Sequence, residues 1–212
     1  MRSTSLENRP RSMLVTLADV PNVVTLLGLC MSVVAVIKAI NASYELSLVF
    51  ALLAVAADWV DGWLARRIQT RTAQIEEMGA NLDSFADLVS SAIYPMVFII
   101  CVGPNSVLHF LAAIFIACTG ILRLSFFNVY GATTDGKVLG LPIAYNILAM
   151  AAIVVLAKWL GFQAIWPLVT SLYVIFAAAN VSPFYFPREG SKVMPAVLAY
   201  IGIMCFLIYR AL

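Results

Sequence analysis

Four aspartates carry the chemistry of a chain that is otherwise poor in charge. Asp58 and Asp61 are three residues apart, and Asp83 and Asp87 are four apart. Helical side chains at those spacings share a face, so each pair can present two carboxylates in one direction. Carboxylates gathered into one pocket repel each other unless cations hold them. Ligands made only of oxygen suit hard ions, Mg²⁺ or Mn²⁺ with Ca²⁺ as a possible occupant, rather than zinc. Two such ions can clamp the attacking and leaving oxygens of a phosphoryl transfer. The residues between the pairs fit a phosphate ligand. Gly62 and Gly79 have no Cβ and permit close approach, Ala65 is small, and Arg66 can fork onto a phosphate.

The elements that must position these carboxylates are apolar. Of 212 residues, 63% are hydrophobic and 11% charged, against about 45–50% and about 25% in soluble domains. An all-α integral membrane protein is therefore expected, a bundle of about six to seven transmembrane helices forming a single catalytic domain over 1–212. Candidate spans run over 22–42, 44–65, 82–103, 107–129, 140–158, 163–182 and 194–211. The fifth and sixth are short. The polar stretch 66–81 reads as a loop or short interfacial helix. Asp58 and Asp61 then end span two and Asp83 and Asp87 begin span three, at one depth on antiparallel neighbours. Carboxylates at membrane depth persist when paired, hydrated or bound to metal.

Lysine and arginine orient the chain. With residues 1–20 as a cytoplasmic N-terminal segment, the inner side holds Arg2, Arg9, Arg11, Arg66, Arg67, Arg71, Lys137, Arg188 and Lys192. The outer side holds Lys38, Lys158 and Arg210. This predicts a multi-pass protein of the cell membrane with its N-terminus and acidic site facing the cytoplasm. The net charge of +2 and the lack of a basic, aromatic-interleaved run argue against nucleic acid as a partner. Cys30, Cys101, Cys118 and Cys205 lie in apolar stretches without metal-ligand spacing and read as buried hydrophobes. The first apolar run is too long for a cleavable signal. His109, the sole histidine, falls on the outer side and reads as structural, and Glu76 and Glu77 read as solvated.

The run Asp58-x-x-Asp61-Gly62-x-x-Ala65-Arg66, followed by Gly79-x-x-x-Asp83-x-x-x-Asp87, resembles the signature of the CDP-alcohol phosphotransferase family. The resemblance implies Asp58, Asp61 and Asp83 as metal ligands, and Asp87 as general base for the acceptor hydroxyl while also touching metal. Gly62, Ala65 and Gly79 would border the cytidine, and Arg66 would support the diphosphate or the aspartates. It further implies two divalent cations, a CDP-diacylglycerol donor entering from the bilayer, a small alcohol acceptor, and a homodimer.

Further residues resemble the serine O-phosphatidyltransferases within that family: Pro21-Asn22 with Thr25, Arg123-Leu-x-x-Phe127-Asn128, Gly140-Leu141-Pro142 and Asn180-Val-Ser182. Asn22 and Thr25 would join the CDP-lipid site. Arg123 is costly inside an apolar span unless it faces a pocket, and it would meet the acceptor carboxylate or a phosphate, the alternative being an ion pair with an aspartate. Asn128 would bind the serine amine or cap its helix. Two departures fall here: Phe126 stands where the subfamily usually has a second arginine, and Ile143-Ala144-Tyr145 where it usually has another proline. Inositol, choline or glycerol phosphate therefore stay open as acceptors. A cation transporter using intramembrane aspartates and a non-catalytic lipid-binding scaffold are the rival classes.

Overall fold

The structure is a computed structural model that describes residues 19–68, 70–162, 165–187 and 193–210. Among the described residues there are seven apolar helices: α1 (Val20–Ile40), α2 (Tyr44–Ala65), α3 (Ala73–Val102), α4 (Val107–Tyr130), α5 (Ala144–Trp159), α6 (Ile165–Asn180) and α7 (Met194–Arg210). The expected all-α membrane bundle is what forms. α1 to α4 are long and apolar enough to cross a membrane. α5 and α6, at 16 residues each, reach about 24 Å at 1.5 Å per residue, short of a hydrocarbon core of about 30 Å. Arg2, Arg9, Arg11, Arg188 and Lys192, which enter the orientation argument, lie outside the described residues.

Three boundaries differ from the sequence reading, each for a local reason. The third helix starts at Ala73 rather than near 82, so only 66–72 connects it to α2. Thr72 caps it, its hydroxyl accepting the Ile75 N–H at 3.4 Å, and Glu76 sits in the first turn where it complements the helix dipole. Polar residues there lie outward on a continuous helix. The fifth helix starts at Ala144 because Gly140-Leu141-Pro142 forms a turn. Two short strands were not foreseen. β1 (Lys137–Leu139) and β2 (Tyr185–Pro187) pair antiparallel, with Val138 opposite Phe186, and tie the α4–α5 connection to the α6–α7 connection.

Gly140 shows how that turn is built. Its φ is +72°, its N–H donates to the Phe184 carbonyl at 2.8 Å, and a Cβ there would overlap the Asn180 carbonyl oxygen. Gly140→Ala is expected to cost at least the about 1–3 kcal/mol of a strained left-handed residue, read as a lower melting temperature in detergent. Gly202→Ala, where nothing lies within 4 Å of an added Cβ, should not lower it.

α1 and α2 pack along most of their length. Small residues allow this: a Cβ on Gly28 would sit 3.0 Å from the Ala57 Cβ, and Ala35, Ala39 and Ala51 are buried at the seam. Tyr94, Phe98, Ile147, Met150 and Tyr173 fill the centre, while Leu27, Ile37, Ile114, Leu122 and Ile203 point outward, as expected of helices facing lipid.

Candidate active site

The last turns of α2 carry Asp58 and Asp61, and α3 carries Asp83 and Asp87 in its first half. Asp58, Asp83 and Asp87 each offer a carboxylate oxygen, and these atoms lie within 4.8 Å of one another. Asp61, one turn beyond Asp58, is buried, and the Thr25 hydroxyl of α1 donates to its Oδ2 at 2.5 Å, with the Pro21 carbonyl as a second acceptor at 3.0 Å. This bond fixes one carboxylate from outside the α2–α3 pair.

Immediately after Asp87 the third helix loosens into a π-helical segment, Leu88–Ile93, a feature frequent at functional sites. α4 crosses there at close range, since a Cβ on Gly120 would lie 3.0 Å from the Ala92 Cβ. Arg123 stands one turn beyond Gly120 on the same face, so the close crossing carries its guanidinium towards the aspartates. Arg123 is 8% exposed, its Nε is buried without a hydrogen-bond partner among the described residues, and its Cζ lies 4.9 Å from the Phe127 ring centroid. Among the described residues it forms no ion pair with an aspartate.

These groups line one cavity of about 400 Å³, within the range of small-ligand sites. Asn22, Thr25, Asp58, Asp61, Gly62, Ala65, Arg66, Gly79, Asp83, Asp87 and Arg123 all border it. Asn128 does not. Five residues past Arg123 on α4, it lies about 140° round the helix at 100° per residue, is exposed, and its Nδ2 donates to the Ser84 hydroxyl at 3.0 Å. His109 is buried on the opposite end of the bundle with Nε2 2.6 Å from the Ile99 carbonyl oxygen.

Sequence reasoning overlooked several lining residues. Arg71 on the connector pairs with Asp19 at 2.7 Å and donates to Asn22 Oδ1 at 3.1 Å. Tyr145, packed on Phe186, and Val138 of β1 close the far wall. Glu76 is exposed, as expected, yet edges the cavity. The connector has no periodicity to flag Arg71, and three-residue strands leave no pattern to flag Val138.

The donor set suits a divalent cation: three close carboxylates, all oxygen, with no salt bridge to a lysine or arginine among the described residues. Comparison with known proteins decides the family. A family model described as CDP-alcohol phosphatidyltransferase matches residues 18–209. The chain belongs to that family. That family is one of membrane-embedded transferases that generally work with divalent cations. The protein is similar to an archaetidylserine synthase of Methanothermobacter thermautotrophicus, 34% identical over 125 residues, 58% of this chain and 52% of that one. It is also similar to a phosphatidylcholine synthase of Borreliella burgdorferi, 23% identical over 194 residues, 90% of this chain and 79% of the relative. A CDP-diacylglycerol–serine O-phosphatidyltransferase of Methanocaldococcus jannaschii is 25% identical over 186 residues, 88% and 81% of the two chains. The match thus spans about half the length of the first of these relatives.

Proposed function

We propose that the protein transfers a phosphatidyl group from CDP-diacylglycerol to the hydroxyl of L-serine, giving phosphatidylserine and CMP. The observation that carries this reading is a carboxylate trio sharing one cavity with a buried arginine whose Nε has no hydrogen-bond partner among the described residues. Asp58, Asp61 and Asp83, with Asp87, would hold two divalent cations, Mg²⁺ or Mn²⁺. Bound there, such ions supply charge neutralisation for the diphosphate and its departing CMP. Asp87 takes the proton of the acceptor hydroxyl as that oxygen bonds to the lipid-bearing phosphorus and the bond from this phosphorus to the CMP oxygen breaks. Gly62 and Ala65 leave room for the cytidine, with Asn22, Thr25 and Gly79 beside them, and Arg66 supports the diphosphate.

Arg123 favours serine over choline and inositol among the acceptors. A buried guanidinium suits a carboxylate bidentately and opposes the quaternary ammonium of choline. Among the described residues Arg66, Arg67, Arg71 and Lys137 lie at the acidic end of the bundle, while Lys38, Lys158 and Arg210 lie at the other. That asymmetry supports a cytoplasmic active site in the cell membrane. Family likeness supports a homodimer in which 1–212 works as one catalytic domain.

Purified enzyme given CDP-diacylglycerol and a panel of L-serine, inositol, choline and glycerol phosphate tests the reading. CMP is expected in step with phosphatidylserine. CMP with another acceptor but not serine would overturn the acceptor assignment. Metal flux into vesicles without CMP from any acceptor would favour a transporter instead, and CDP-lipid binding without CMP a scaffold.

A further inference from the structure

Arg71 belongs to no signature element, yet its side chain is buried and held by two partners. Its side chain is 7% exposed, it pairs with Asp19 at 2.7 Å, and its Nη2 donates to Asn22 Oδ1 at 3.1 Å. A guanidinium has donors only, so the amide atom facing it must be the oxygen. The Asn22 amide therefore has one orientation. Its Nδ2 is left over, buried and without a hydrogen-bond partner among the described residues, on a residue that is 1% exposed and lines the cavity. An unpaired buried donor is unfavourable unless a ligand supplies the acceptor. Gly79 makes the arrangement possible, because a Cβ there would lie 2.7 Å from both Arg71 Nη2 and Asn22 Oδ1.

From this geometry we infer that Arg71 is a positioning residue that sets nucleotide specificity by fixing the Asn22 amide with its donor towards the base. The inference rests on reading the cavity as the CDP-lipid site. The Watson–Crick edge of cytosine offers two adjacent acceptors, N3 and O2, whereas uracil carries an N–H at position 3. A locked Nδ2 donor matches the first and opposes the second, and sites that hydrogen-bond a specific edge reject the mismatched analogue strongly. Without Arg71 the amide can turn over and present its oxygen, which accepts from uracil. The Asp19 carboxylate would hold the guanidinium in place from behind.

The experiment compares CMP and UMP as competitors of CDP-diacylglycerol turnover in Mg²⁺ buffer, using the full-length enzyme. Wild type should be inhibited by CMP at far lower concentration than by UMP. Arg71→Met is expected to narrow that ratio about tenfold or more, the scale of one specific hydrogen bond. Arg71→Lys, which retains a donor for Oδ1, should keep most of the preference. Asn22→Asp keeps an oxygen for Arg71 but replaces Nδ2 by an acceptor, so it should narrow the ratio independently if Arg71→Met folds poorly. Equal weakening of CMP and UMP in Arg71→Met and Asn22→Asp would overturn the inference, pointing to a phosphate contact or general loosening. Equal inhibition of wild type by both nucleotides would overturn it too. Failure of wild type to bind either nucleotide would instead sink the reading of the cavity itself.

Discussion

Asp87→Asn is expected to lower CMP release from CDP-diacylglycerol by about 10²–10⁴-fold, the range lost with a general base. The substitution preserves size and removes the proton-accepting charge. It sits on the helical side of the junction with the π-helical segment, where backbone geometry does not depend on the carboxylate, so the fold should hold, with a melting temperature in chelator no lower than that of wild type. The variant also separates two roles, since Asp87 contributes an oxygen to the carboxylate trio. If it serves mainly as base, Mn²⁺ affinity should fall only modestly while turnover collapses at every metal concentration. Turnover restored by excess Mg²⁺ would show that Asp87 is a ligand and not the base. Near-normal turnover at ordinary metal concentration would refute both roles.

The acidic site was legible because helix spacing and membrane cost act together. Pairs at three and four residues must share a face, and carboxylates within apolar runs need a reason to be there. The same logic brought out Arg123, a lone cation in an apolar span, which the structure sets in the cavity wall. Where a residue entered through resemblance alone, its place was harder to foresee. Asn128 is near Arg123 along the chain but about 140° away around α4, so it meets Ser84 instead. Residues 73–81 looked like a connection because hydropathy falls there, yet a cap at Thr72 and a run of helix formers extend α3 beyond the apolar stretch.

Long-range polar contacts left no trace in the sequence. Arg71 registers only as one of several basic residues until its contacts with Asp19 and Asn22 are seen. Those partners come from α1, and nothing periodic links the α2–α3 connector to that helix. The same holds for Thr25: its presence in a motif suggested a ligand role, and the structure, which sets it in the cavity wall, also gives it a partner, Asp61, whose carboxylate it fixes. Motifs identify which side chains matter, but the tertiary fold decides which of them touch substrate and which hold others in place.

Stripping divalent cations with excess chelator is expected to abolish transfer, and Mg²⁺ or Mn²⁺ to restore it. The physical ground is the trio itself. Asp58, Asp83 and Asp87 bring carboxylate oxygens within 4.8 Å, and like charges that close in a partly buried site repel. A cation that binds the folded state adds stability as its concentration rises, about 2.7 kcal/mol at a hundredfold excess over Kd. Wild-type melting temperature should therefore climb with Mg²⁺, a readout independent of turnover. In Asp58→Asn one of the three charges is gone. That variant should melt higher than wild type in chelator, because repulsion is relieved, and should respond weakly to added Mg²⁺, because a ligand is missing. Full turnover in excess chelator would remove metal from the chemistry. An Asp58→Asn protein that still gains as much stability from Mg²⁺ as wild type would place the cation elsewhere, since neutralising a true ligand must cost affinity as well as relieve charge.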